Sequence, residues 1–180
     1  MGVKLPVCLY SGVLQELRNA DSIAGTSKLL QWAYVLDGTV VEASENMPEG
    51  TSAPTTSQGD PYPELALAFT PASAGSILEV HLELALVGTA GGDNIVVALF
   101  DSLAGNSAVD VWYGYTGMGG KGVRAVLTTF RAAGSTAERT FSVRLGPAAS
   151  GAVYVNAAGP STDLYGAAYR SMMSVKEYAL

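Results

Sequence analysis

The residues with the greatest capacity for chemistry lie in one short run of the chain, Ser76 to Val87. The only histidine, His81, lies midway between Glu79 and Glu83. At this spacing in a strand, all three side chains project from one face, where they could bind a divalent cation. Alternate side chains of a strand stand about 6.5 to 7 Å apart, however, which is too far for one ion without large rotamer changes. A polar face, solvated or against another subunit, explains the trio more simply.

Few residues of this chain are candidates for nucleophilic catalysis. Cys8 is the only thiol and His81 the only imidazole, and no feature of the sequence brings them together. A G-x-S-x-G elbow is absent, so a serine hydrolase has no anchor. A glycosidase pair of carboxylates remains possible, with Asp101 and Asp110 as candidates, although both also fit loop and strand-end positions.

A glycine-rich segment, 117–122, has a superficial likeness to a phosphate-binding loop. It departs from the G-x-x-x-x-G-K-[ST] pattern at both ends, because Tyr115 occupies the first glycine position and Gly122 stands where Ser or Thr is required. It also lies between two strand signals and is better explained as a hairpin loop. We therefore expect no catalytic, metal or cofactor-binding residues, and a protein that is not an enzyme.

The composition indicates a self-associating domain. The 180 residues suffice for one domain, and 48% are hydrophobic whereas only 14% are charged, against a typical charged share of about 25%. So few charges cover a surface thinly, which predicts an obligate interface between copies, above roughly 2,000 Å². The net charge of −6 argues against direct nucleic-acid binding. A single cysteine excludes an internal disulfide.

No apolar run approaches the roughly 20 residues that a membrane-spanning helix needs, the longest being of the size of Ile95 to Phe100. Met1 to Tyr10 lacks the form of a signal peptide, because Pro6 interrupts it. We expect synthesis and folding in a cytoplasm and no membrane partner.

Period-two alternation dominates the second half of the chain. Leu78, Val80, Leu82, Leu84 and Leu86 share one strand face. Strand signals recur at short intervals over 64–70, 77–87, 95–100, 109–115, 123–130, 139–145, 153–156 and 172–178. Eight such strands without a long helical period predict an all-β fold, an antiparallel β-sandwich of jelly-roll type.

The first half divides into two further regions. Residues 1–45 predict an extended N-terminal arm, in which Val13 to Ala20 could form two turns of helix, and a first hairpin around Asp37-Gly38. Residues 46–63, rich in Pro, Gly, Ser and Thr, predict a loop, and the sandwich then occupies residues 64–180.

Aromatic side chains offer a further interpretation. The tyrosines, Trp32 and Trp112 could form a sugar-stacking platform, although packing in the core or at an interface fits their alternating positions better. The residues that we expect to interact with partners are Leu14, Leu17, Ile23, Trp32 and Tyr34, and a glycan or partner loop would use Trp112, Tyr115 and Met118.

Several stretches resemble the jelly-roll domains of bacteriophage virion proteins, namely the heads of tail and head fibres and capsid cement or decoration proteins. The stretches are 99–108, 133–146 and 164–178, and residues 14–23 resemble the leader that precedes phage fibre heads. The resemblance implies a homotrimer on a virion, made in the host bacterial cytoplasm, whose arm docks to the major capsid protein or another virion component.

Because the chain lacks the long repetitive shaft of a fibre, we expect a cement or decoration protein that bridges neighbouring capsid subunits. The alternative is a receptor-binding module of a tail or head fibre that recognises host surface glycans through loops 116–122 and 157–162. A glycan-cleaving enzyme is a third, weaker interpretation.

Overall fold

The computed structural model describes residues 28–88, 94–115, 122–157, 168 and 170–179, and the backbone of residues 7–10 and 13–16. Within these ranges the chain is built of strands, and the one helical segment is a short 3₁₀ helix, Pro63–Leu65. None of the described residues forms a helix long and apolar enough to cross a membrane.

The described strands, in chain order, are β1 (Val7–Tyr10), β2 (Val13–Glu16), β3 (Lys28–Asp37), β4 (Val41–Ala43), β5 (Asp60–Pro61), β6 (Leu67–Phe69), β7 (Ile77–Gly88), β8 (Asn94–Asp101), β9 (Asp110–Tyr115), β10 (Gly122–Ala132), β11 (Arg139–Pro147), β12 (Val153–Val155) and β13 (Ser171–Ala179). The eight strands predicted for the sandwich are all present, with ends shifted by a few residues.

Two antiparallel sheets pack against each other. In the first, β3 pairs with β13, β13 with β7, and β7 with β10, while β4 and β12 continue the lines of β3 and β13. In the second, β5 and β6 lie along one side of β11, β8 along the other, and β9 beyond β8.

The pairings are nested, which makes the sandwich a jelly roll. If β3 with β4, β5 with β6 and β12 with β13 each count as one interrupted strand, the first strand pairs with the eighth, the second with the seventh, the third with the sixth and the fourth with the fifth. A ribbon of antiparallel pairs that wraps in this way gives the two Greek keys of the fold. The predicted fold class is confirmed.

The core lies between the sheets. The apolar face predicted for β7 is confirmed, because its five alternate leucine and valine side chains from Leu78 to Leu86 are no more than 1% exposed. Phe141, Val143 and Leu145 of β11 face them from the second sheet and are equally buried.

The second sheet is covered on its outer side as well. Met47 packs there against Val96, Ala98 and Phe100 of β8, so that β8 is buried on both faces. The proline-rich segment that carries Met47 is tied down by backbone hydrogen bonds, such as Met47 N–H to Pro147 O (3.0 Å) and Ala108 N–H to Pro54 O (2.8 Å). The outer face of the first sheet carries no such cover among the described residues.

Two local predictions are wrong. Val13–Glu16 is a strand that pairs with β1, not a helix. An isolated helix of two turns is only marginally stable, whereas strand pairing satisfies the same backbone groups. The Asp37-Gly38 hairpin is also wrong, since β3 pairs with β13 and β4 with β12, and the chain continues along the sheet edge.

Hydrogen bonds from residues distant in sequence fix the segment at Asp37 in a form that is not a hairpin. The Asp37 carboxylate accepts hydrogen bonds from the Thr39 N–H (3.1 Å) and from the Tyr62 hydroxyl. The buried Asn156 amide donates to the carbonyl oxygens of Asp37 and Thr39 (3.0 Å each) and to the Tyr62 hydroxyl (2.9 Å). Burial, and then Asp37, raise the pKa of Tyr62 far above its usual range.

We predict that Asn156→Ala lowers the free energy of unfolding by about 2 to 4 kcal/mol, because buried acceptors lose their donor and alanine adopts φ near 58° poorly. Urea unfolding followed by tryptophan fluorescence, at one fixed protein concentration, measures it. Asn106→Ala, at an exposed position, should change stability by less than about 0.5 kcal/mol. Equal effects of the two substitutions would contradict this role of Asn156.

Candidate functional site

The outer face of the first sheet carries apolar side chains along the edge strand β3. Leu30, Trp32, Tyr34 and Leu36, which we call the β3 patch, are 37%, 57%, 56% and 46% exposed. The alternate residues of β3 include Ala33 and Val35, which pack on the core. The period of two therefore directs the large side chains of this strand away from the interior.

The two aromatic rings of the β3 patch contact each other. The ring centroids of Trp32 and Tyr34 are 5.3 Å apart and their planes are inclined by 32°. Because both rings are also more than half exposed, the pair forms one apolar projection from the face of the sheet.

A second apolar group lies on the opposite edge of the same sheet. Val126 and Phe130 of β10, which we call the β10 patch, are 47% and 64% exposed. Between them in the chain, Leu127 points inward and is buried. Sequence analysis did not single out these two residues, although alternation with buried Ala125 and Leu127 is the signal that could have found them.

Polar side chains fill the centre of this face, between the two patches. Glu79 accepts hydrogen bonds from the Lys176 ammonium (3.0 Å) and the Tyr178 hydroxyl (2.9 Å). Glu83 forms an ion pair with Arg124, and His81 Nδ1 lies 2.9 Å from Thr128 Oγ1. The trio of the sequence analysis thus shares one face, but each member has its own neighbour.

The pKa values follow these contacts. Burial alone would raise the pKa of Glu79, but the hydrogen bonds from Lys176 and Tyr178 outweigh it and lower the pKa. The same contact raises the pKa of Lys176. Among the described residues, no group of three or more His, Cys, Asp or Glu side chains is arranged to hold a metal ion.

A cleft of about 430 Å³ lies on the other sheet, between segment 48–54 and strands β8 and β9. Glu49 accepts hydrogen bonds there from the Tyr113 hydroxyl and the Asn94 amide (2.6 Å each). Hydrogen bonding to Glu49 raises the pKa of Tyr113. An exposed aromatic ring beside a fixed carboxylate and the serine and threonine of the segment suits a polar ligand such as a sugar.

The structure separates the residues of the expected glycan loop. Trp112 points inward and packs on the core, with its indole against Gly114, whereas Tyr115 points outward from β9 and is 56% exposed. Met118 and most of loops 116–122 and 157–162 lie outside the described residues. Tyr113 and Glu49, which do line a cleft, were not identified from the sequence.

The other predicted interaction residues have mixed outcomes. Trp32 and Tyr34 lie together on the β3 patch, as described above. Leu14 belongs to β2, of which only the backbone is described, and Leu17 and Ile23 lie outside the described residues.

The candidate glycosidase carboxylates have structural partners. Asp101 is 1% exposed and accepts from the Arg139 guanidinium (3.0 Å), while Arg131 Nε lies 3.3 Å away. Asp110 Oδ1 accepts from the N–H of Val111 (2.9 Å). A buried, doubly paired carboxylate is unsuited to attack a substrate.

Glu177 anchors the beginning of β3. Its fully buried carboxylate accepts from the Ala72 N–H (2.9 Å), the Ser73 N–H (3.1 Å), the Ser76 hydroxyl and the Gln31 amide (2.6 Å). Burial alone would raise the pKa of Glu177, but these donors together hold it below the usual value. One carboxylate thus joins the β3 patch strand, β13 and the 72–76 turn.

Comparison with known proteins gave no matching family model and no matching curated protein. Among solved structures, one match is the enzymatically active domain of tailspike protein 4 from bacteriophage CBA120, with 12% sequence identity and a TM-score of 0.26. The match covers 69% of this chain and 18% of that chain. A similarity of this size assigns neither a family nor an activity to this chain.

We predict that Glu177→Gln lowers stability by about 2 kcal/mol at pH 7, because four donors lose a charged acceptor. A lowered folded-state pKa contributes stability that is complete above the unfolded pKa of about 4.5 and is lost as the pH falls through the folded pKa. The difference in Tm between the variant and the unmodified protein should therefore become smaller as the pH falls below about 5. Thermal unfolding measured at several pH values from 7 to 3 checks this. Glu138→Gln, at an exposed loop position, is the matched control. A difference that stays constant with pH would contradict the assignment.

Proposed function

We propose that this chain is a structural protein of a bacteriophage particle, a trimeric capsid cement or decoration protein that bridges neighbouring capsid subunits. The observation that carries the proposal is the β3 patch, an apolar and aromatic surface on the edge strand of a sheet. The sequence resemblance to phage jelly-roll proteins supports a place on a phage particle, and the exposed apolar surface supports self-association.

An exposed apolar edge strand is a hazard unless it has a partner. It presents unpaired backbone groups and apolar side chains together, which promotes uncontrolled pairing between molecules. With aromatic side chains of about 150 to 250 Å² each, the β3 patch offers roughly 400 Å² of apolar surface. At about 25 cal/mol per Å², covering it gains roughly 10 kcal/mol before the cost of association. A specific interface between copies uses this surface and removes the hazard.

The polar centre of the same face is compatible with an interface. Glu79 with Lys176 and Glu83 with Arg124 form pairs of opposite charge within one chain. Pairs that are already neutralised cost less to desolvate than single charges, so a second copy can approach this face. The low charged fraction of the whole chain, 14%, agrees with a surface that is partly covered in the working state.

A bridging role needs attachment but no turnover. The sequence predicted attachment through residues 1 to about 45, but β3 and β4 belong to the first sheet. In the proposal, the part of that arm that precedes β3 attaches to the particle, and three such arms on one trimer raise the effective concentration of each contact. Modest single contacts then suffice for tight decoration. Added buried area between capsid subunits resists the internal pressure of packaged DNA.

The alternative role, recognition of host glycans at a fibre, is favoured by one observation, the cleft beside Tyr113. Its aromatic ring, the Glu49 carboxylate and a volume of about 430 Å³ suit a short saccharide. A cement protein does not require this cleft.

We predict that Trp32→Glu converts the assembled protein to a folded monomer, because a charge placed in the centre of the β3 patch cannot be buried there. The association constant should fall at least about 100-fold, as for an interface hot spot. Analytical ultracentrifugation or mass photometry over a range of concentrations measures it. Leu103→Glu is the control, since Leu103 is 50% exposed in the turn after β8, away from the patch. A dilute monomer of the unmodified chain would refute self-association.

We predict that a chain lacking residues 1–25 stays folded and trimeric but no longer decorates particles. Co-sedimentation with particles of the encoding phage, grown without this protein, measures attachment. The full-length Trp32→Glu chain is tested in parallel as a monomer that keeps its N-terminal arm. It should bind particles about 10²-fold more weakly than the trimer, because only one arm per molecule is attached. Decoration that survives the deletion would contradict attachment through the arm.

Saturable binding to host polysaccharide that is lost in Tyr113→Ala would favour the receptor role instead.

A further inference from the structure

We propose that copies of the chain join head to tail, with the β3 patch of one copy against the β10 patch of the next. This inference rests on the proposed function, because it names the contact that forms the trimer. The outer faces of the first sheets then turn toward a common axis, and every copy uses both of its patches.

Two different patches are what a closed ring requires. A two-fold dimer uses one surface twice, so a single self-complementary patch would serve it, whereas a ring of three joins two distinct surfaces. Here the β3 and β10 patches lie on opposite edges of one sheet, separated by β13 and β7. At about 4.8 Å between strands, their backbones are roughly 14 Å apart. The two patches therefore lie at different edges of the sheet, as contacts with two different neighbours require.

The register of the strands places both patches at the same level. Trp32 lies beside Lys176, Lys176 beside Glu79, and Glu79 beside Phe130. Leu36 reaches Val126 in the same way, across Met172 and Glu83. A copy related by rotation about an axis along the strands therefore meets its neighbour without a shift along that axis. Rotation without translation closes a ring, whereas rotation with translation gives a filament.

The edges also suit each other in direction. Successive strands of the sheet are antiparallel, so β3 and β10 run in opposite directions. Among the described strands, neither has a neighbour on its outer side. In a ring of copies with the same orientation, β3 of one copy runs antiparallel to β10 of the next, as in the sheet itself.

The apolar area of the two patches supplies most, but not all, of what a small specific interface requires. Together the two patches offer roughly 600 Å² of side-chain surface, judged from their exposed fractions and typical side-chain areas. An interface of about 1,200 Å², with somewhat more than half of it apolar, requires nearly 700 Å². The paired charges between the patches then line the axis, where water can reach them.

Paired cysteines test the arrangement in the assembled protein. In a Cys8→Ser background, Leu36→Cys and Val126→Cys are introduced together, which leaves every aromatic side chain of both patches in place. We expect a short bifunctional thiol reagent to join this double variant into covalent dimers and trimers, at a yield about tenfold above that of either single variant. An equal mixture of the two single variants should yield cross-linked dimers and no cross-linked trimers.

The control and the contrary outcomes separate this inference from the proposed function. Leu36→Cys with Leu103→Cys, a residue of similar exposure, should not cross-link into trimers. Cross-linking of Leu36→Cys alone would show a two-fold contact and overturn the inference. A trimeric mass without cross-linking of the double variant would also overturn it, while leaving the proposed function intact. If Leu36→Cys reacts with a maleimide only after deletion of residues 1–25, the N-terminal segment covers the patch and the inference is wrong.

Discussion

The strict alternation of side chains along β7 is the constraint on which the other features of this sandwich depend. Its apolar residues line the core, and Glu79, His81 and Glu83 stand between them on the opposite face. A slip of one residue against β10 or β13 would bury all three polar side chains and expose the leucines, so the register is strongly specified. Because β7 fixes the register of its neighbours, it also sets the level of the patches on β3 and β10.

The outer faces of the two sheets differ in how far they are covered by other parts of the chain. On the second sheet, the Met47 segment covers β8, and a strand of continuous apolar residues is consequently buried on both sides. On the first sheet, the polar centre is satisfied by pairs such as Glu79 with Lys176, and apolar side chains remain at both edges. Among the described residues, the outer face of the second sheet is thus covered, whereas the first sheet exposes apolar side chains at both edges.

Period-two patterns made most of the fold predictable, because every second residue is apolar in a strand with one buried face, as in β7 and β11. The segment around Asp37 was not predictable in the same way. Asp-Gly indicates a hairpin locally, but Tyr62 and Asn156, which override it, come from distant parts of the chain. For the candidate site, Trp32 and Tyr34 could be named from the sequence. Phe130 was not named, because alternation along β10 shows that it lies opposite to Leu127 but not which of the two faces lies outward, and that choice depends on the packing of the whole sheet.

The place of β13 in the first sheet has a consequence for biosynthesis. This strand lies between β3 and β7, yet it is the last of the sandwich to leave the ribosome. Until it emerges, β3 has no partner among the described strands, and the Glu177 carboxylate cannot join β3 to the 72–76 turn. Pairings this remote along the chain close slowly. A nascent polypeptide therefore lacks an ordered β3 edge until translation of the sandwich is finished.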